Sequence, residues 1–525
     1  MSSNAFEVTR QTLQILLPEL VILLTAIVMM TAGIFIRWPR RVWCAAAVGA
    51  LVAALLVLFA VGSRPVDVYS AVALNDAFSR GARLMLLFSG LILLGLAHDQ
   101  VDDARAAEFF GSFLFIVAGS MLVAAANELV FLFVGLELVS MPTYLLLYLA
   151  RRNASTQEAA TKYFFLSIFS SGLLLYGLAF LYGLTGVSNL KALAYLVEHV
   201  PNVPQPQLAL IALVFVMAGL GFRVAAVPFH FYAPDVYQGS PTVVAAMLSW
   251  IPKAIGFLAI IRTLTAVFAS GGPAGPLAVG HKAVILAWLI AAITMTLGNT
   301  VALAQDNLKR LLAYSSIAHA GYLMIGVAVA FAYAPPLGGV YLGSEGILFY
   351  LVAYALMTLG AFGVIIALST PERPIETVDD FAGLAQTHPK TALAMALCLF
   401  SLAGIPPLAG FYGKFQIFTS AFAVPPGINS TMLRWLAVIG SINAAIGAYY
   451  YLRIVVVMYL RPAKTPITAH PAWPTMLTVG ACATLSLVVG IYPPPVSRMT
   501  RAAAEAAIEH PDPMLEPGVQ VGDRR

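Results

Sequence analysis

Apolar stretches close to the ~20 residues that a helix needs to cross a bilayer recur along the whole chain, separated by short polar turns. Cutting at those turns gives fourteen of them: 13–36, 42–62, 81–98, 108–126, 128–150, 160–184, 207–228, 242–268, 281–304, 308–332, 343–369, 389–422, 433–459 and 473–493. A helix in lipid satisfies its own backbone hydrogen bonds, so the pattern predicts an all-α polytopic membrane bundle of about fourteen transmembrane helices. The first stretch is too long for a signal-peptide core and lacks a small-residue cleavage site, which makes it a retained span. No linker is long enough to separate a soluble domain. From about Thr500 the chain is polar and carries Arg501, Arg524 and Arg525, a tail too short to form a second functional domain.

Two stretches break the helical pattern in the same way. In the seventh, Gly219, Gly221, Pro228 and Pro234 stand where an uninterrupted helix would not place them; in the twelfth, Gly404, Pro406, Pro407, Gly410 and Gly413 do the same. Upstream of each lies a similar aromatic and small-residue stretch, Tyr163 to Gly177 and Phe349 to Gly363, offset by 186 residues, while the prolines are offset by about 178. A unit of five spans is odd in number, so its repetition is inverted in the membrane, and broken helices at matching places point to a transport path. The expected organisation is three N-terminal helices (1–107), a first antiporter-like repeat (108–270), a second, inverted repeat (281–460), and a last helix with its polar tail (473–525).

Composition agrees. The 525 residues are 60% hydrophobic and 10% charged, against about 45–50% and about 25% in soluble domains. Twenty-nine Lys and Arg against 24 Asp and Glu give a net charge of +5 with no basic stripe, which argues against nucleic-acid binding. Cys44, Cys398 and Cys482 sit far apart in apolar runs, so no thiolate set for zinc or an iron–sulfur cluster is present and no metal site is expected. Odd-numbered loops hold thirteen basic residues; even-numbered loops hold six, Arg64, Arg80, Arg83, Lys191, Lys282 and Arg434. The odd loops are therefore expected on the cytoplasmic side and both termini on the other.

Charges inside spans each call for a reason, because one at a span centre costs about 2.5–3.5 kcal/mol on insertion scales. Glu137 lies roughly 13 Å into its span; it is read as a titrating carboxylate, with a purely structural salt bridge as the alternative. Arg223, just before the Pro228 break, is its candidate partner, and a guanidinium stays charged, so it influences Glu137 without carrying protons. Lys253 is roughly 16 Å from the start of its span. Pro252 disturbs the carbonyl of Leu248 beside it, and a buried lysine responds strongly to its surroundings, so a proton relay is expected, a static ion pair being the other reading. Lys414 follows the second break, and its place in the repeat favours function. Arg262 and Arg453 are expected to snorkel to the interface, and Glu19 to lie at it.

His319 sits among hydroxyls and small residues, where an imidazole can pass protons or simply hold two helices together. His230, in the first break, is equally a lateral relay or a loop anchor. Asp235 is expected to order its loop. No phosphate-binding glycine loop, metalloprotease helix or nucleophile elbow occurs, which argues against chemistry on a bound small molecule.

The segments Gly219-Leu-Gly-Phe-Arg-Val-Ala-Ala-Val-Pro-Phe-His-Phe-Tyr-Ala-Pro-Asp-Val-Tyr-Gln-Gly-Ser-Pro-Thr242 and Gln305-Asp-Asn-Leu-Lys-Arg-Leu-Leu-Ala-Tyr-Ser-Ser-Ile-Ala-His-Ala-Gly-Tyr322 closely resemble the antiporter-like subunits of respiratory complex I, over essentially the whole chain. The Pro18-Glu19 start, the Pro-Asp-Val-Tyr-Gln-Gly-Ser-Pro form and Lys414 resemble the subunit N branch, related to mitochondrial subunit 2. The resemblance implies proton translocation across a bacterial inner membrane while other subunits oxidise NADH and reduce quinone. It implies no cofactor in this chain; FMN, iron–sulfur clusters and quinone would belong to partner subunits. The implied partners are a neighbouring antiporter-like subunit, small membrane subunits and the lipid bilayer. The resemblance casts Glu137, Lys253 and Lys414 as the proton relay, with His319 between the lysines. The family usually has a lysine where this chain has Arg223. Two other readings remain, a free-standing cation/proton antiporter and a passive scaffold.

Overall fold

The structure, a computed structural model, describes residues 2–62, 67–149, 154–199, 206–265, 280–333, 342–370, 373–427, 429–463 and 472–508. Among these, thirteen helices are long and apolar enough to cross a membrane, and a broken helix makes the fourteenth crossing. After a terminal helix α1 (Ser2–Ile15) come α2 (Leu17–Phe35), α3 (Arg40–Val61) and α4 (Ala77–Ala97). The first five-helix unit is α5 (Ala106–Ala125), α6 (Leu129–Tyr148), α7 (Ala154–Thr185), the broken pair α9 (Pro206–Val224) and α10 (Tyr232–Gly239), and α11 (Thr242–Ala259), with the short α8 (Leu190–His199) between α7 and α9. The second is α12 (Gly280–Leu303), α13 (Leu308–Ala332), α14 (Ser344–Leu368), the broken pair α15 (Pro389–Ala403) and α16 (Ala409–Ala423), and α17 (Ser430–Leu460). Then follow α18 (Trp473–Ile491) and α19 (Pro494–Ile508). With fourteen crossings the start of α2 and the end of α18 lie on one face, the terminal face.

Side chains set the helix starts. Asp76, Glu128 and Asn307 precede α4, α6 and α13 and accept hydrogen bonds from the backbone N–H of Ser79 (2.8 Å), Phe131 (2.7 Å) and Arg310 (3.1 Å). α11, α13 and α14 form the buried centre, while α2, α3, α7, α12 and α18 turn apolar side chains such as Ile27, Phe169 and Leu289 outward, as a lipid-facing rim requires. Small residues let backbones meet without lipid between them. A side chain at Gly321 would come within 2.5 Å of the Met295 nitrogen, so α12 and α13 touch there directly.

Both breaks are built alike. At the end of α9 the N–H of Ala226 donates to Gly221 O (2.8 Å) and that of Ala225 to Phe222 O (3.0 Å); at the end of α15 the N–H of Ile405 donates to Phe400 O (3.0 Å) and that of Gly404 to Ser401 O (3.0 Å). These are Schellman caps, and the four matched positions differ by 179 residues each, so Lys414 corresponds to Asp235. The capping residue is left-handed in both, Ala225 at φ 56° and Gly404 at φ 87°. Alanine carries a steric cost there that glycine avoids.

Asp235 stands on α10 and orders its surroundings as expected: Lys162 approaches Oδ2 at 2.6 Å and Arg310 approaches Oδ1 at 2.7 Å, tying α10 to α7 and α13. Partial burial raises the Asp235 pKa, but these two cations outweigh it and hold the carboxyl below its usual range. A depressed folded pKa contributes stability above the unfolded value of about 3.9 and loses it as the pH falls through the folded one. Asp235→Asn is therefore expected to lower the melting temperature of the solubilised protein at neutral pH, with the gap to wild type closing below about pH 3.9; a gap independent of pH would contradict this.

Four expectations about charge change. Arg83 is no loop residue but lies inside α4, fully buried, with Nε 2.7 Å from Oε1 of Glu19, which is itself buried rather than interfacial. Arg262 does not snorkel: a π-helical turn (Ile260–Thr265) at the end of α11 turns it inward, where Nη1 meets Asp76 Oδ2 at 2.6 Å, Nε donates to Ala126 O and the guanidinium lies over Phe78. Lys191 is buried and donates to Ala506 O and Ala507 O. Those carbonyls belong to α19, so the segment after Thr500 continues a folded helix through Ile508. Arg453 stays part-exposed and pairs with Asp306. Arg64, Arg151, Arg152, Lys464 and residues 509–525, with Arg524 and Arg525, lie outside the described residues.

Candidate functional site

The structure brings Glu137 and Arg223 together. Arg223 occupies the last turn of α9, where a cation complements the helix dipole and the break frees carbonyls. Its Nη2 lies 3.0 Å from Glu137 Oε1, its Nη1 donates to Ser140, and Ser171 donates to the same carboxylate oxygen. Ser140 lies three residues after Glu137 on α6, hence on the same helix face. The arginine side chain is 1% exposed and the carboxylate 20%, so the acid is the accessible member of the pair. Tyr232 stacks on Phe222 at 4.3 Å and donates to its carbonyl, bracing the turn that presents Arg223.

Lys253 has a different environment. Its ammonium donates to the Ser316 carbonyl, to Ser316 Oγ at 2.6 Å and to Tyr354 OH at 3.3 Å, and lies over the Tyr354 ring at 4.5 Å. Among the described residues no carboxylate pairs with it, so a buried positive charge is solvated only by dipoles and a ring quadrupole. The Pro252 beside it frees no partner that the ammonium uses; the acceptors come from α13 and α14. Between this cluster and the Glu137 pair the structure shows close packing: a side chain at Gly256, one turn beyond Lys253, would press on Val224 and on Arg223 Cβ.

From Ser316 the polar groups continue. The neighbouring Ser315 shares a hydrogen bond with Tyr451 OH, which lies 3.0 Å from His319 Nε2, and His319 Nδ1 is 2.6 Å from Tyr350 OH. The imidazole therefore sits between two phenols, one on α17 and one on α14, and packs on Tyr354 at 5.1 Å and edge-on to Tyr322 at 5.7 Å. Lys414 lies beyond Tyr322, its ammonium 5.0 Å from that ring. It donates to Leu402 O (2.8 Å) and Ala403 O (3.0 Å), the carbonyls that the break at Pro406 leaves without helical partners. The lysine on the second half-helix thus caps the first. A side chain at Gly404 would come within 3.0 Å of Lys414 Cδ, so glycine there serves both the backbone turn and the lysine.

Lys253, His319 and Lys414 thus belong to one connected polar cluster, and Glu137 with Arg223 to a second packed against it. His230 is not drawn into either: it lies half-buried between α9 and α10 with its ring edge-on to Phe231. The sequence reading missed the hydroxyl partners Ser316, Tyr350, Tyr354 and Tyr451. Ser315 and Ser316 stand four and three residues before His319, a helical spacing that does mark one face. The tyrosines come from distant segments and carry no local signal. Among the described residues no group of three or more His, Cys, Asp or Glu is placed to hold a metal ion.

This chain resembles known proteins along nearly its whole length. Residues 126–447 match the family described as NADH:quinone oxidoreductase/Mrp antiporter, TM. The chain is 36% identical over 497 residues to NADH-quinone oxidoreductase subunit N of Trichlorobacter lovleyi, covering 94% of this chain and 97% of that one. It is 36% identical over 500 residues to NADH-quinone oxidoreductase subunit N 2 of Rhizobium meliloti, covering 93% and 96%. Among solved structures, a chain of respiratory complex I from Thermus thermophilus superposes with a TM-score of 0.74 at 31% identity, covering 92% of this chain and 99% of that one. A chain of the Mrp complex from Dietzia sp. superposes with a TM-score of 0.75 at 19% identity, covering 95% and 98%, which is a likeness of fold alone.

Proposed function

This chain belongs to the NADH-quinone oxidoreductase subunit N family, and from that premise we propose that it carries protons across the membrane through the Glu137–Lys253–His319–Lys414 relay, driven by NADH oxidation and quinone reduction in partner subunits. The observation that carries the proposal is the buried cluster in which Lys253 meets Ser316 and Tyr354, His319 packs on Tyr354 and Tyr322 and meets the hydroxyls of Tyr451 and Tyr350, and Lys414 lies against the far side of Tyr322, in the buried centre of the bundle. Lysines and a histidine can each take and release a proton, and the hydroxyls that meet Lys253 and His319 can pass it on.

Arg223 keeps its charge throughout. Its guanidinium pairs with Glu137 when the two are in contact, and opening the pair is the event that changes the field at Lys253. Moving one charge against 100 mV costs about 2.3 kcal/mol, so the opening must shift a proton affinity by about two pKa units. FMN, iron–sulfur clusters and quinone belong, in this reading, to the partner subunits, with a neighbouring antiporter-like subunit and small membrane subunits in contact with this one. The chain would sit in a bacterial inner membrane with the terminal face away from the cytoplasm. The place of Arg83 inside α4 supports that orientation, because it leaves Arg64, Arg80, Lys191, Lys282 and Arg434 on the even-numbered side against thirteen on the other. The units 108–270 and 281–460 would act as the two inverted halves, which the matching caps support.

The test is mild-detergent extraction of the native membrane, native-size separation, an in-gel NADH dehydrogenase stain and mass spectrometry for this chain. The proposal expects the chain in an NADH-oxidising assembly of several hundred kilodaltons. Migration near its own 55.8 kDa, with sodium-dependent proton exchange in vesicles lacking redox subunits, would replace it with a cation/proton antiporter.

A further inference from the structure

α19 lies across the terminal face. Its inner side is Thr500, Ala503, Ala504 and Ala507, all buried, and it packs on α4, on α14 and on the π-helical end of α11. Lys191 holds its C-terminal carbonyls at 3.0 and 3.1 Å. At its middle, Arg501 Nε donates to Glu345 Oε2 at 3.4 Å; the arginine side chain is 48% exposed and the carboxylate 4%. Glu345 is the second residue of α14, and beside it the buried hydroxyl of Ser344 has no hydrogen-bond partner among the described residues.

The same helix connects this carboxylate to the relay. Tyr350, which meets His319, stands five residues further along α14, roughly 7.5 Å of rise. α16 runs antiparallel to α14 at this point: Gly413 lies against Tyr350 and Ile417 against Gly346. Lys414 is thus level with Tyr350, and Glu345 lies about one turn nearer the terminal face. A buried carboxylate about one turn nearer the terminal face than a buried lysine–histidine–tyrosine cluster, paired among the described residues only with an arginine that is itself half in water, has the placement of an outlet.

Building on the proton-carrying role proposed above, we propose that Glu345 is the acceptor that delivers protons to the terminal face, and that Arg501 on α19 is its gate. A proton leaves the Lys414 ammonium or the His319 imidazolium by way of the Tyr350 hydroxyl, crosses the remaining distance of roughly 7.5 Å of helix rise on water molecules that each accept one proton and release another, and adds to the Glu345 carboxylate, giving a neutral acid. The attraction to Arg501 falls with that charge, the exposed guanidinium moves out, and the acid loses its proton to solvent water. The restored carboxylate then draws Arg501 back.

The experiment uses inverted membrane vesicles holding the full complex, with assembly measured by native-size separation and NADH-driven acidification of the lumen measured per assembled complex. Glu345→Gln is expected to lower the rate about 100-fold, the low end of what losing a placed acid/base group costs, while Glu345→Asp retains most of it. Arg501→Gln, which leaves the carboxylate in place without its gate, is expected to slow acidification at equal assembly, and it decides the matter if the glutamine variant fails to assemble. Lys414→Met serves as the reference. If Lys414→Met blocks acidification and the Glu345 and Arg501 variants match wild type, this outlet is wrong and the relay stands. If all of them match wild type, the relay and the outlet both fall.

Discussion

Lys253→Met is expected to slow NADH-driven acidification of inverted vesicles about 100-fold, within the range lost when a placed acid or base is removed, with the complex still assembled. Methionine is flexible and fills a space of similar length, so the packing of α11 against α13 and α14 persists. The substitution removes a buried cation that no carboxylate neutralises and leaves no charge behind it, which is the benign direction for stability. The Ser316 carbonyl loses the ammonium but lies in the interior of α13, where the backbone N–H four residues on still satisfies it. Lys253→Arg separates charge from proton transfer: it preserves the positive charge but not the ability to release a proton. Acidification in the arginine variant should fall as far as in the methionine variant. Near-normal rates with arginine would mean that Lys253 acts as a fixed charge.

The second large effect concerns stability. Glu19 and Arg83 are both fully buried and 2.7 Å apart, with Arg83 also donating to Asn75. Removing one partner leaves the other charge uncompensated, so Glu19→Met or Arg83→Met alone is expected to destabilise the protein by about 3–5 kcal/mol. The double variant, which replaces the pair with apolar side chains of similar length, is expected to recover most of that loss. The check is the amount of assembled complex and its thermal midpoint in detergent. Equal losses in the single and double variants would show that the helices need these two side chains for something other than mutual neutralisation. Because α4 also packs beneath α19, the single variants should loosen the terminal face before they affect the Lys253 cluster.

The parts of the fold that were legible in the sequence were those written in local chemistry. Prolines and glycines marked both helix breaks because proline lacks a donor and glycine permits a left-handed turn, and the structure places the breaks at Val224 and Ala403. A carboxylate and an arginine inside apolar runs announced themselves as a pair because each is too costly alone. What hydropathy hid was whatever looked polar in a short window but folds as a covered surface. The first turn of α4, Ala77 to Arg80, read as loop, which put Arg83 at a span edge and concealed its match with Glu19. α19 alternates alanines with charges at helical spacing, so it averaged out as a tail although one side of it is buried. Arg262 lay near enough to the end of its apolar run for snorkelling, and only the π-helical turn aims it at Asp76. The partners of Lys253 were out of reach for another reason: Ser316 and Tyr354 lie 63 and 101 residues away, and no local pattern links them.

The most direct test of the central claim is the number of protons moved per NADH oxidised, measured in sodium-free proteoliposomes holding the purified complex with wild-type chain or with Lys253→Met. The relay predicts that the methionine complex moves fewer protons per NADH than wild type, or stops oxidising NADH because the two processes are locked together. Wild-type stoichiometry at wild-type turnover would contradict it, and would leave this chain as a scaffold whose buried charges only set its assembly.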